Sequence, residues 1–408
     1  VTGGTSMPRW LVRLGILIAV VLANASFFER SAHAGPCSAF TNPIVIESGD
    51  TQEPLLKTLG QELRNSSTPM TVLYALTGTC TVANDLMTGK ILAQNTTLSY
   101  TPSTGEDSTW NPSKPSATCT IDAAGGLPID LGIGATFLTS CSLPTPTVSV
   151  GQFFGPVGGY GFASPKASPQ IGLTAEEGYF VFGFGQAGQV TPWLDNNYIF
   201  VRTSTKSTAL TLGSVVRVPA GKLQGVAYGS SSQVLDSTAT STDPEKTIGL
   251  LGTEIYDANR DKVNLLAFRA FKQNYAYYPD STQTSFDKKN LRDGHYIPWA
   301  PTIYIAPTDG SGNATGNAKT FIDLVLGNTK YTDVDGLKAS ITVGLIPSCA
   351  MKVTRPADGA DLTLFSSPAP CGCYYEATVP NGSTSCTACV DSTPCGGGTC
   401  RLGYCEAR

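Results

Sequence analysis

The chain has 408 residues and a mass of 42.7 kDa, enough for two domains and a large core. Hydrophobic residues at 41% against charged residues at 14% exclude a disordered chain and a coiled coil. The formal charge is −4, and residues 35–408 carry 24 Lys+Arg against 30 Asp+Glu, so an electrostatic footprint for nucleic acid is absent.

In chain order, Arg9 and Arg13 precede an apolar run over residues 14–23, too short to span a bilayer. Two small-x-small sites follow, Ala23-Asn24-Ala25 and Ala32-His33-Ala34, so residues 1–34 read as a secretory signal peptide. Pro36 before Cys37 argues against a lipoprotein anchor, and the expected product is periplasmic or secreted. All twelve cysteines lie beyond residue 34, and eight fall within residues 349–408. An even count in an exported chain predicts disulfides; Cys386-x-x-Cys389 and Cys371-Gly-Cys373 could hold zinc, but compartment and scarce histidine favour disulfides.

Ile44-Val45-Ile46 predicts a buried strand, followed by a polar turn over residues 47–51. Pro54, Leu55, Leu56, Leu59 and Leu63 then have helical spacing with proline near the start. A second strand over 70–74 and a helix through Leu86 repeat the pattern, the grammar of a parallel α/β sheet. It recurs with a strand over 198–202 feeding a hydroxyl-rich turn and helix, a helix after Ser230-Ser231-Ser232, and a strand over 247–251. Residues 346–370 read as a linker, and residues 371–408, almost devoid of apolar side chains, as a cysteine-rich module held by disulfides.

The repeated feature is a Ser/Thr- and Gly-rich turn where a strand meets a helix. Free N–H groups, partial positive charge and hydroxyl donors make several such ends together an anion site, though each alone is an ordinary N-cap. The candidates are Thr51, Thr79 with Thr81, the 203–208 segment with Arg202, and residues 230–232. Asp50 and Glu53 fit as first-turn acids favoured by the helix dipole. Gly183-x-Gly185-x-x-Gly188 matches the dinucleotide fingerprint, but Pro192 and Trp193 follow where a helix is required, so it reads as a glycine-rich loop. Tyr275, Tyr277 and Tyr278 with Trp299 fit strand alternation better than a stacking platform. Only His33 and His295 occur, His295 in a turn, which leaves a triad or a His-rich metal site without material.

With these motifs in order, the chain resembles phosphate-type periplasmic solute-binding proteins of ABC transporters over about residues 42–307. The matching stretches are Ile46-Glu47-Ser48-Gly49-Asp50-Thr51, residues 74–80, residues 129–135, the 202–208 segment, residues 246–250, and residues 292–296 running into 299–304. The resemblance implies the α/β, two-lobe type 2 periplasmic-binding fold with an appended disulfide-rich tail. It places lobe 1 at about 40–150 and 296–345 and lobe 2 at about 155–295, within a solute-binding domain over 35–345. It carries anion contacts onto Thr51, Thr79, Arg202 and Thr208, with Ser204 and Ser207 beside them. It implies a small inorganic anion, phosphate first, as ligand, an ABC permease as partner, and no catalysis, metal or cofactor. Two departures stand out. Gly134 and Ala135 occupy the third loop, where the family offers a Ser-Asp pair whose aspartate accepts the proton of protonated phosphate; and Asp50 puts a carboxylate beside the expected anion. A secreted recognition or adhesion protein on the same scaffold is the alternative expectation, and a phosphate-ester hydrolase the weakest.

Overall fold

A computed structural model describes residues 35–406, except 330 and 332. The expected signal peptide lies outside the described residues. The first half runs β1 (Pro43–Gly49), α1 (Glu53–Asn65), β2 (Thr71–Thr77), α2 (Thr79–Met87), β3 (Thr97–Tyr100), β4 (Ala117–Thr120) and β5 (Leu131–Gly134). A 16-residue strand, β6 (Val150–Pro165), leads to α3 (Ala175–Phe184), β7 (Ile199–Arg202), α4 (Ser207–Val215), β8 (Val226–Tyr228), α5 (Ser231–Ala239), β9 (Ile248–Gly252) and α6 (Thr253–Asp257). The chain returns through β10 (Trp299–Pro307), α7 (Gly316–Leu326) and α8 (Gly336–Thr342), and ends in α9 (Gly372–Thr378) and the hairpin β11 (Thr399–Arg401) and β12 (Tyr404–Glu406).

The strands join in the order β4-β3-β2-β1-β5-β10-β6-β9-β7-β8. β2, β1 and β5 are mutually parallel, as are β9, β7 and β8. The long antiparallel pair β6 and β10 connects the two parallel groups, since β6 pairs with β10 over its first part and with β9 over its second. β6 is rich in glycine because its neighbours come so close. A Cβ at Gly155 would lie 2.4 Å from the Tyr304 ring, well inside van der Waals contact.

Each parallel group is covered on both faces, so its strands read as continuous apolar runs rather than alternating ones. Ile44 and Ile46 face α1 residues such as Leu56 and Leu59, whereas Val45 packs with Leu73, Val82 and Leu86 on the other side. In the second group Ile199 and Val201 join Leu212 and Ile248, and Phe200 turns toward Val234 and Leu251. Helix α1 starts as its sequence predicts, with proline in its first positions and Glu53 in the first turn.

Six disulfides account for all twelve cysteines. Four lie in the C-terminal part, pairing Cys349–Cys371, Cys373–Cys386, Cys389–Cys400 and Cys395–Cys405. The sulfurs of Cys389, Cys395 and Cys405 cluster, but each is already in a disulfide and none offers a thiolate to a metal. Tyr375 of α9 and Val379 just after it enter the core around β9 and β7, and buried Glu406 accepts the N–H groups of Cys373 and Tyr374 at 3.1 Å, capping α9. The 346–370 segment lies against the body. Arg355 is buried over the Trp299 ring and donates to the carbonyls of Ile297 and Trp299, and Asp358 accepts from Thr136 at 2.6 Å and Ser140 at 2.5 Å. The 275–278 stretch is not the strand that its aromatic spacing predicts. Only Tyr277 pairs, in an isolated bridge to Phe268, and Tyr275 is exposed.

Candidate functional site

The carboxyl ends of β1, β2, β7 and β8 deliver four turns to the space between the parallel groups, where ligands of open α/β sheets bind. Arg202 is the last residue of β7 and is completely buried. Its Nη2 donates to Asp50 Oδ1 at 2.9 Å, to Asp50 Oδ2 at 3.0 Å and to Gly229 O at 3.1 Å. Its Nε donates to Tyr228 O at 3.3 Å, and its Nη1 to Ser231 Oγ. Asp50 Oδ2 also accepts the backbone N–H of Ser231 at 2.8 Å, and Lys206 Nζ stands 3.9 Å from Asp50 Oδ1.

Asp50 therefore does not serve the first turn of its own helix. It caps α5, a helix of the other half, and pairs with Arg202 there. The capping box at Ser230 leaves the Ser231 N–H free for this contact, because Ser230 Oγ accepts from Gln233 N and Gln233 Oε1 accepts from Ser230 N. Burial pushes the Asp50 carboxyl up, but Arg202, the Ser231 N–H and Lys206 more than reverse this and hold it below the usual carboxylate range. Glu53, in contrast, behaves as its position predicts, pairing with Lys57 at 3.4 Å and accepting from Tyr74 at 3.3 Å.

A second group of hydroxyls adjoins the pair. Thr51 and Thr79 are buried, and their Oγ1 atoms both flank Gly49, 3.9 and 3.7 Å from where a Cβ would stand. Ala135 N donates to Thr79 Oγ1 at 3.1 Å, Tyr160 OH donates to Ala135 O, and Ser207 lies beside the Tyr160 hydroxyl. The chain Thr79–Ala135–Tyr160–Ser207 thus runs from one half to the other. Thr208 is buried in the first turn of α4, and neither its Oγ1 nor that of Thr51 has a hydrogen-bond partner among the described residues. Ser204 is exposed and belongs to neither group. The N-terminus of α2 has no side-chain cap; Cys80 N faces Thr205 O at 3.5 Å, and Lys206 Nζ donates to Thr77 O.

Lys206, Ser231, Tyr160 and Glu254 are absent from the residues that the resemblance nominates. Lys206 and Ser231 lie inside turns that the sequence marks as donor-rich, and their individual roles follow only from Asp50. Glu254, in α6, is buried, and its Oε1 has no partner among the described residues. Burial, aided by the charges of Asp50 and Asp257, pushes its carboxyl up to about 8 against the pull of its own backbone N–H and Arg202.

No family model matches the chain, and no curated relative matches it. Solved structures do. A protein described as a phosphate ABC transporter substrate-binding protein with bound phosphate, from Clostridium perfringens, aligns over 75% of this chain and 99% of its own, at 13% identity and a TM-score of 0.51. The fold is the two-lobe, type 2 periplasmic-binding fold. An ABC-type phosphate transport receptor from Vibrio cholerae aligns over 75% of this chain and 100% of its own, at 15% identity and a TM-score of 0.46. At such identities the likeness concerns the fold. No helix among the described residues is long and apolar enough to cross a membrane.

Proposed function

We propose that this is an exported solute-binding protein that holds a small oxyanion, phosphate first, between its two lobes for ABC-type uptake. The observation that carries the reading is the carboxylate of Asp50 on Arg202 Nη2 and the Ser231 N–H, with Lys206 behind it. Those donors are aimed at an anion and hold one belonging to the chain itself. A bidentate oxyanion from solution fits the same guanidinium and helix N-terminus. The unpartnered hydroxyls of Thr51 and Thr208 are further donors for its remaining oxygens. Binding needs no chemistry: lobe closure would desolvate the anion and order donors around it. Thr51, Thr79, Arg202, Thr208 and Ser207 are the proposed contacts, Ser204 a peripheral one, and an ABC permease the proposed partner.

Asp50 also favours a second reading, a secreted recognition or adhesion protein that keeps the scaffold while its own carboxylate occupies the anion site. Isothermal titration of residues 35–408 with phosphate and then sulfate separates the two. Saturable binding of either anion supports uptake; absence of heat with both would favour the recognition protein.

A further inference from the structure

A cavity of about 880 Å³ lies between the lobes beside the Asp50–Arg202 pair. A single tetrahedral anion fills a small part of it, and volumes of about 300–1,000 Å³ are those of pockets for organic ligands. One end is polar, with Asp50, Lys206, the serines of residues 230–232 and Glu254. Much of the remaining wall is apolar, from Leu76, Leu235, Ile255, Phe286, Ile341 and Val343, interrupted by the Glu53–Lys57 pair, Asp257 and Asn259. Leu76, at the end of β2, is 38% exposed, so its side chain is apolar surface that a ligand body could cover.

Charge at the polar end selects the head of such a ligand. Glu254 is 4% exposed with Oε1 unpartnered among the described residues, and burial pushes its carboxyl up to about 8, which favours the protonated form with an O–H to donate. The groups facing it are Asp50 and Arg202 from the pair, Asp257 on its own helix, and the Tyr160 hydroxyl, which burial keeps neutral. Asp257 is neutralised from outside the cavity by Lys288 at 2.7 Å and Arg260 at 2.6 Å. Asp50 cancels Arg202, and Lys206 is left as one unbalanced positive charge at this end.

We propose that the cavity takes a small organic anion, with an oxyanion head at Lys206, the serine turn and Glu254, and an apolar body against Leu76, Ile255 and Phe286. This deepens the oxyanion reading and rests on it, since the head shares Lys206 and the serine turn with that site. The extra selectivity comes from the body, because covering apolar wall contributes about 25 cal/mol per Å².

The test is calorimetric titration of residues 35–408 with inorganic phosphate, phenyl phosphate and benzyl alcohol. Phenyl phosphate is expected to bind at least tenfold tighter than inorganic phosphate, and Leu76→Asn to remove most of that gain while leaving inorganic phosphate unchanged. Benzoate, whose charge is constant between pH 7 and pH 9, is expected to weaken over that range in the wild type as Glu254 ionises, and to weaken less in Glu254→Gln. Equal affinity for the two phosphates overturns the organic ligand and leaves the oxyanion reading standing. Benzyl alcohol binding as tightly as phenyl phosphate overturns the anionic head. Silence with all three overturns both readings.

Discussion

Removing the Asp50 carboxylate exposes what the site is built to hold. In Asp50→Ala the Arg202 guanidinium keeps the carbonyls of Tyr228 and Gly229 and the Ser231 hydroxyl, yet loses the one carboxylate paired with it among the described residues while remaining completely buried. Breaking a buried pair from one side costs about 3–5 kcal/mol, and the partial exposure of the Asp50 side chain places this case near ~3 kcal/mol. With an unfolding entropy of about 2.1 cal/mol/K per residue over about 370 residues, that loss lowers Tm by roughly 4 °C. Phosphate then acts as a replacement counter-ion. At a hundred times its Kd it restores about 2.7 kcal/mol, most of the deficit. Differential scanning calorimetry of both proteins, with and without phosphate, reads all four values. The reasoning is refuted if the variant melts within a degree of the wild type, or if phosphate raises its Tm no more than it raises that of the wild type.

Three further outcomes follow from other parts of the molecule. Glu254 has an ordinary value of 4.5 and is pushed to about 8 in the fold, so between those values the folded chain holds a proton that the unfolded chain releases. Stability therefore falls as pH rises through that window, and Glu254→Gln is expected to lose less between pH 5 and pH 8 in urea titrations; parallel losses would contradict the buried neutral acid. Replacing Cys349 and Cys371 by serine opens a 22-residue loop and is expected to cost about 3 kcal/mol, read as a lower denaturant midpoint, whereas an unchanged midpoint would show the 346–370 segment held by packing alone. Lys288→Met leaves Asp257 and Asp280 with Arg260 as their shared cation, and a loss of about 3 kcal/mol is expected; a neutral result would mean the buried network contributes nothing.

The parts of the fold that sequence reveals are those set by local pattern. Ile44-Val45-Ile46, Pro54 and the leucines of α1 specify a buried strand and a helix without help from distant residues, and the same grammar marks β7, α5 and β9. β6 escapes such reading because its five glycines resemble a loop; their reason is the close approach of side chains such as Tyr304, which arrive from far along the chain. The tail's poverty in apolar residues correctly signals its disulfides, but not that Tyr375 and Val379 are inserted into the main core.

The site shows the same division. Thr51, Thr79, Arg202, Ser207 and Thr208 are buried, and the turns that carry them were marked by their hydroxyls and by an arginine at a strand end. Asp50 was misleading because helix N-termini attract acids, and its neighbours in sequence include one. Its actual partners, Arg202 and Ser231, lie 152 and 181 residues away and are reached across the space between the lobes. Ser204, three residues before the buried Ser207, faces solvent because α4 begins only at Ser207.

The central claim is that the donors around Arg202 form an oxyanion site for which Asp50 competes. A phosphate titration of the wild type beside Asp50→Asn tests it most directly, since the amide keeps the side chain's size and removes its charge. The account predicts saturable phosphate binding in both, tighter in the variant by at least tenfold. Equal affinities, or no heat in either protein, would contradict it.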